Sequence, residues 1–557
     1  MDDKSSGASK QVRHFRQILL WPLQLLPLRP DSQIQRHWEM LEAGGPDCPW
    51  HEVLDEFTGD PAQFQDRHYT EFVTFLPYVQ RFLYGEGRGR IDGERASATG
   101  TTRKPSSSPM RVFRRDDIEA VRVTPSEGEA RQVLDIAHID LYFFYDIDVV
   151  MLNVEVHADD LTLTQAQELM YRFGRAYPAG WDENGQAVHS MYRIEWLGAG
   201  GRVLATSDSN ERGKFLAFVC EHRAPRIGAH WAFVLKPLLP EHIEAKGLIR
   251  YRQLEYYRMP LMAFLAIDNV RAVSRTDFIR LGLVTGPGDE VPYSELHLAN
   301  FEARHCYDRF WCETGRAPLT RYMSCGHALV VVGDANAPFF LDRERGVLGQ
   351  FRHQHYLLFL IAHFQKAALL MFADRLVEEL KVLDISDADT VRRFKRAIRR
   401  NYEIFLRFTH RYWFHDVSEQ AQAKALFQLC SEHLGLDRVY AEVKERITDM
   451  NSYLDADSLR RQANTVVKLT VVTIFGLIGT VATGFLGMNL IAEAESPLIQ
   501  RAIFFLIVLA AASGVTLYTV SRAKRMSDFL DALSNEELSR KAKFAAWLDV
   551  WRSSKRP

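Results

Sequence analysis

The chain has 557 residues, 47% hydrophobic and 25% charged, with a formal net charge of −2. That length predicts more than one folding unit. The near-neutral balance, with no basic stripe interleaved with aromatics, gives no pull toward nucleic acid, and six cysteines are too few to build a disulfide-held fold.

In chain order, RHFRQILLWPLQLLPLRP (13–30) sets basic residues before an apolar stretch, as a signal peptide does. The stretch is short, is broken by Pro22, Gln24 and Pro27, and precedes no small-residue cleavage site, so a peripheral or packed segment is expected. GEGRGRIDG (85–93) looks superficially like a phosphate loop but lacks the strand before and the helix after that the mechanism needs, and reads as a loop. ASATGTTRKPSSSP follows as an aperiodic Ser/Thr/Pro linker. The resulting division is an N-terminal region 1–95, a linker 96–110 and an α/β domain 111–350.

Within 138–157, two β-rich runs break near Asp146 and predict a hairpin. Thr164 with Gln167 offers a capping box for a helix ending before Pro178. WAFVLKPLL (231–239), LMAFLAI (261–267) and ALVVVG (328–333) are strand candidates, and the alternation points to a layered α/β domain. His305, Cys306, Cys312, Cys325 and His327 cluster in sequence but lack the C-x₂₋₄-C spacing of a structural zinc site.

From residue 351 the chain turns helical. Residues 355–383 carry helical periodicity, and His363, Lys366, Asp374 and Arg375 interrupt the run too densely for a membrane span, so a buried helix is expected. Ser386 with Asp389 caps a helix bearing the basic run RRFKRAIRR (392–400). Residues 436–468 then read as one charged stalk helix that enters an apolar run without Pro or Gly. The helical and stalk region is 351–468.

Two runs near the C-terminus are long enough to cross a bilayer, which takes about 20 apolar residues. The first is 469–490, the second 502–521, and an outer loop, 491–501, joins them. Arg460, Arg461 and Lys468 precede the pair, while Arg522, Lys524 and Arg525 follow it. The positive-inside rule therefore makes a hairpin with both termini cytoplasmic, including the tail 522–557. The loop carries Glu493 and Glu495.

Taken as a helix, the first run sets Thr470, Thr473, Gly476, Thr480, Thr483 or Gly484, and Gly487 on one face, with steps of three or four. Two uses fit that face. Small residues let helices approach closely; the same hydroxyls and exposed carbonyls would also line a narrow water-filled path in an assembly of several copies. Periodicity alone favours packing. The run closes on Gly487-Met488-Asn489. A ring of such asparagines would offer amide oxygens suited to a hydrated Mg²⁺, which sheds its waters reluctantly.

Gly487-Met488-Asn489 ending the first of two C-terminal spans, an acidic loop and a basic end resemble the CorA-type divalent metal ion transporters. Residues 464–470, NTVVKLT, resemble that family's Asn-x-x-Met-Lys-x-Leu-Thr approach, one residue short. The likeness covers roughly the last quarter of the chain. It implies an α+β membrane protein with a cytoplasmic funnel, a long stalk helix, two spans and a homopentameric state in a bacterial inner membrane. It further implies a selectivity filter at Gly487, Met488 and Asn489, with Asn489 holding the hydrated ion. Leu469 and Leu477 would be hydrophobic constrictions, and Thr480 and Gly484 would face the path. Leu486 stands where the family usually has an aromatic, and no proline lies within the span. The expected function is passive movement of divalent cations, Mg²⁺ foremost, into the cytoplasm, with no bound cofactor and no enzymatic activity. The alternatives are proton-coupled movement of Zn²⁺, Co²⁺ or Ni²⁺ on the same scaffold, or a cytoplasmic signalling or enzymatic domain tethered by the hairpin.

Overall fold

The computed structural model describes residues 10–28, 35–45, 48–53, 66–85, 109–243, 249–288, 293–381, 388–487 and 497–500, with scattered positions from 502 to 518. The chain divides into two compact units, Met1–Ile447 and Thr448–Pro557.

The first unit is mixed α+β and is built on a sheet that has 14 strands among the described residues. Its centre is formed by β1 (Gln11–Leu25), β2 (Gln132–Phe144), β3 (Ile147–Thr162), β4 (Leu261–Ile267) and β5 (Ala328–Asp334) in the order β2-β3-β1-β4-β5. All of these neighbours are antiparallel except β4 and β5. The apolar N-terminal run is thus the middle strand of the sheet, paired with β3 from Gln11↔Thr162 to Gln24↔Val149. A strand covered on both faces shows no in/out alternation, so its run of Ile, Leu and Trp carries no period of two.

The hairpin at Asp146 forms as expected, with Asp146 in the left-handed region at φ +68°. Strands at 261–267 and 328–334 form as well. Two local expectations are corrected. The capping box sits two residues earlier, with Thr162 accepting from the Gln165 amide at 3.2 Å and Gln165 answering to the Thr162 backbone at 2.9 Å. Residues 231–239, expected as a strand, instead form helix Ala229–Leu235 and then a two-residue strand, Leu239–Pro240. Trp231, Val234 and Leu235 repeat at helical spacing and are buried together, and that packing overrides their β propensity.

One sheet face carries Phe15, Leu19, Trp21 and Leu23 into an apolar core with Trp196, Trp231 and Phe278. The other face lies against α1 (Tyr356–Lys381), where Phe364 stacks on Phe144 at 3.8 Å and on Phe82 at 5.8 Å. Among the described residues, one helical stretch is long and apolar enough to cross a membrane, Val347–Lys381, and 78% of its apolar window is buried inside this unit. Several of its polar side chains find partners there. Gln365 donates to the carbonyls of Tyr412 and Phe414 at 3.0 and 3.2 Å, Asp374 meets Arg252 at 2.8 Å, and Arg375 pairs with Asp148. Beyond it come α2 (Ala388–Arg411) and α3 (Ala421–Leu434).

The chain then enters α4, a single helix from Leu436 to Gly487. Its 52 residues span about 78 Å at 1.5 Å per residue. The stalk and the first apolar run are therefore one continuous element. The start of α4 is anchored by buried Leu436, Val443 and Ile447 and by Tyr440 stacked on Trp413 at 4.3 Å.

Candidate functional site

The expected pore face lies on the last third of α4. At 3.6 residues per turn, Leu469, Thr470, Thr473, Leu477, Thr480, Gly484 and Gly487 fall within an arc of roughly 100°. Thr470, Thr473 and Thr480 each donate the hydroxyl hydrogen to the carbonyl four residues back, at 2.9, 2.8 and 2.8 Å. Thr483 does the same toward Gly479 at 2.9 Å. A threonine hydroxyl has one hydrogen and two acceptor lone pairs, so a back-bonded one presents an oxygen that only accepts.

No described atom comes within 4 Å of the position a Cβ would take at Gly476, Gly479, Gly484 or Gly487. Leu469 is 61% exposed, and Val466, Val472 and Ile474 are also half exposed or more. The side chain of Leu477, and Met488, Asn489, Glu493 and Glu495 altogether, lie outside the described residues. The second apolar run is described at scattered positions, which are helical, with Ile503, Leu506 and Ile507 exposed. Of the carboxylates that are candidate sensors of cytosolic metal, Asp384 and Asp387 lie outside the described residues, as do the side chains of Asp389, Asp455 and Asp457.

In the first unit, no group of three or more His, Cys, Asp or Glu among the described residues is placed to share a metal ion. Of the cysteine–histidine cluster, Cys325 Sγ lies 3.3 Å from His327 Nδ1. His305 Nδ1 donates to the Ser324 carbonyl at 2.8 Å, and its ring stacks on His433 at 4.2 Å. Burial raises the Cys306 and Cys325 thiols to about 12 and about 11, which keeps both protonated.

Sequence reasoning missed a charged centre under α1. Glu155 on β3 is paired with Arg16 on β1 and with Arg352 at 2.8 Å, and His138 stands 4.0 Å away. Burial alone would raise the Glu155 carboxyl; the two guanidinium charges outweigh it and hold it below its ordinary value. Arg352 sits in the π-turn Phe351–His355 that leads into α1, so the pairing fastens that helix to the sheet. A signal was available only in Arg16, a lone charge inside an apolar run.

No protein-family model matches the chain, and no curated protein matches it.

Proposed function

We propose that this protein is a CorA-like channel through which divalent cations, Mg²⁺ foremost, enter the cytoplasm as an oligomer of several copies. The observation that carries the reading is the joining of Gly487-Met488-Asn489 to one uninterrupted helix whose final turns align hydroxyl and glycine positions on a single face. Back-bonded threonine oxygens offer acceptors and no competing donors, which suits a cation with its water shell and disfavours an anion. A lone helix encloses no path, so conduction needs copies arranged about an axis, with Asn489 from each at the outer mouth.

Membrane voltage supplies the driving force, about 4.6 kcal/mol per 100 mV for a divalent ion, twice the unit-charge value. Closing would follow cytosolic metal bound between carboxylates of neighbouring copies, with Asp384, Asp387, Asp389, Asp455 and Asp457 as the candidates.

The test is ion uptake into liposomes holding the purified protein, with an Mg²⁺-sensitive dye inside and Asn489→Ala alongside. Flux in the wild type that disappears in the variant supports the filter; parallel runs with Zn²⁺, Co²⁺ and Ni²⁺, with and without a proton gradient, rank the ions and test coupling. A correctly assembled wild type that passes no divalent ion overturns the proposal in favour of a tethered cytoplasmic unit.

A further inference from the structure

A second site stands apart from the helix face. Arg175 follows the helix Leu163–Arg172, and Arg258 precedes β4; the two pair across an isolated antiparallel bridge. Like charges directly opposite on paired backbone repel. Yet the charge of neither arginine is met by a carboxylate among the described residues.

Arg175 is 4% exposed, and its side chain's one hydrogen bond among the described residues runs from Nε to the Tyr171 carbonyl at 2.8 Å. Its guanidinium lies over the rings of Tyr171 at 4.8 Å and Tyr257 at 5.1 Å. Arg258 donates to the carbonyls of Leu283 and Val284 at the end of helix Arg275–Leu283, while its Nε is buried without a partner among the described residues. Each arginine thus uses part of its donor fork on a helix C-terminus, and the terminal nitrogens of Arg175 donate to no described group.

The neighbouring cations do not share this lack. Arg172 has Glu168 at 2.7 Å, and Lys366 has Glu255 at 3.6 Å. The excess positive charge therefore belongs to Arg175 and Arg258. It reaches His327 and His189, which burial and then these arginines hold below the ordinary imidazole value. Tyr171 is set in place by Gly286, at φ +85°, where an added Cβ would stand 2.8 Å from the ring. Tyr256, 70% exposed and 4.3 Å ring to ring from Tyr257, marks the open side.

We propose that Arg175 and Arg258, walled by Tyr171, Tyr256 and Tyr257, form a binding site for a phosphate group, free or carried on a small ester. Two guanidinium charges match a group bearing about −1.5 to −2 at neutral pH, whereas a carboxylate would leave one charge over. The planar donor fork suits paired phosphate oxygens, and the aromatic walls suit the body of an ester.

The experiment titrates the purified full chain in detergent with inorganic phosphate, and separately with a nucleoside monophosphate, against chloride at fixed ionic strength. Melting temperature and calorimetric binding are the readouts. Phosphate is expected to raise the melting temperature where chloride does not. Arg175→Gln should weaken binding by at least about tenfold, the loss of one charge-assisted contact. Arg172→Gln, whose charge Glu168 already neutralises, should leave affinity within about twofold. Tyr256→Ala, at an exposed position that spares the fold, removes one aromatic wall; it is the check if Arg175→Gln does not fold, and should weaken the monophosphate more than bare phosphate. Equal responses to phosphate and chloride in the wild type overturn the site. So does a loss in Arg172→Gln as large as that in Arg175→Gln, which would mark diffuse attraction. Tighter binding of the monophosphate than of phosphate assigns the ester; equal binding assigns the free anion.

Discussion

His230 should make the first unit acid-labile, and the size of the effect follows from its surroundings. The ring is buried against Trp231 at 5.2 Å, and neither ring nitrogen has a hydrogen-bond partner among the described residues. Burial depresses its pKa from 6.5 to about 3, against a smaller opposing pull from Asp208. The folded state therefore keeps the ring neutral while the unfolded state takes up a proton below about pH 6.5, so stability falls as pH falls. From about pH 7.5 to about pH 5 this one group costs about 2 kcal/mol, and the loss continues toward the folded pKa. In His230→Leu that slope disappears. The variant should be no less stable than the wild type near neutrality, because two unpaired buried nitrogens leave with the imidazole, at about 1–3 kcal/mol each for groups of this kind. Urea unfolding followed by tryptophan fluorescence reads both, since Trp196 and Trp231 stand in the same cluster 5.5 Å apart. Parallel pH slopes in variant and wild type would refute the reasoning.

Glu155→Ala strands Arg16 and Arg352 beside each other and should cost about 3–5 kcal/mol in the same unfolding assay. The Glu155 contribution is present above the ordinary glutamate pKa and is lost as pH falls through its lowered folded value, so the gap between variant and wild type should narrow in acid. Phe364→Ala should cost about 3–5 kcal/mol by opening the stack with Phe82 and Phe144; a negligible loss would contradict the placement of α1 in the core rather than in lipid.

What could be read from the sequence was whatever is decided locally. The Asp146 hairpin shows because two β-rich runs flank a residue that tolerates positive φ. The continuity of α4 shows because no Pro or Gly interrupts residues 436–475. β1 did not read as a strand because burial on both faces erases alternation, and residues 231–235 misread because a short apolar run fits helix and strand equally. Arg175 and Arg258 are 83 positions apart, as are no two residues that a local pattern can join; only the bridge between their backbones makes them neighbours. The same holds for Arg16, Glu155 and Arg352, which three different elements bring together.

The helix face poses the sharper choice between packing and conduction, and accessibility decides it. In α4 the exposed apolar residues Val466, Leu469, Val472 and Ile474 spread over an arc of roughly 200°, so about half of the helix circumference there calls for apolar cover. Small residues at Gly476, Gly484 and Gly487 suit close helix contact whether or not water passes between the copies. Thr480 and Ala482 lie within two residues in depth but about 160° apart around the axis, at roughly 200° for two steps of 100°. After Cys220 and Cys312, the exposed native cysteines, are changed to Ser, Thr480→Cys and Ala482→Cys can be treated in membranes with a charged, water-soluble thiol reagent. A water-filled path along the threonine face should let Thr480→Cys react and block ion flux while Ala482→Cys stays unmodified. Because thiolates rather than thiols react, the contrast requires water at the residue and not mere packing space. If neither cysteine reacts in a protein that passes ions, the threonine face is an interface between helices, and the ions take another route.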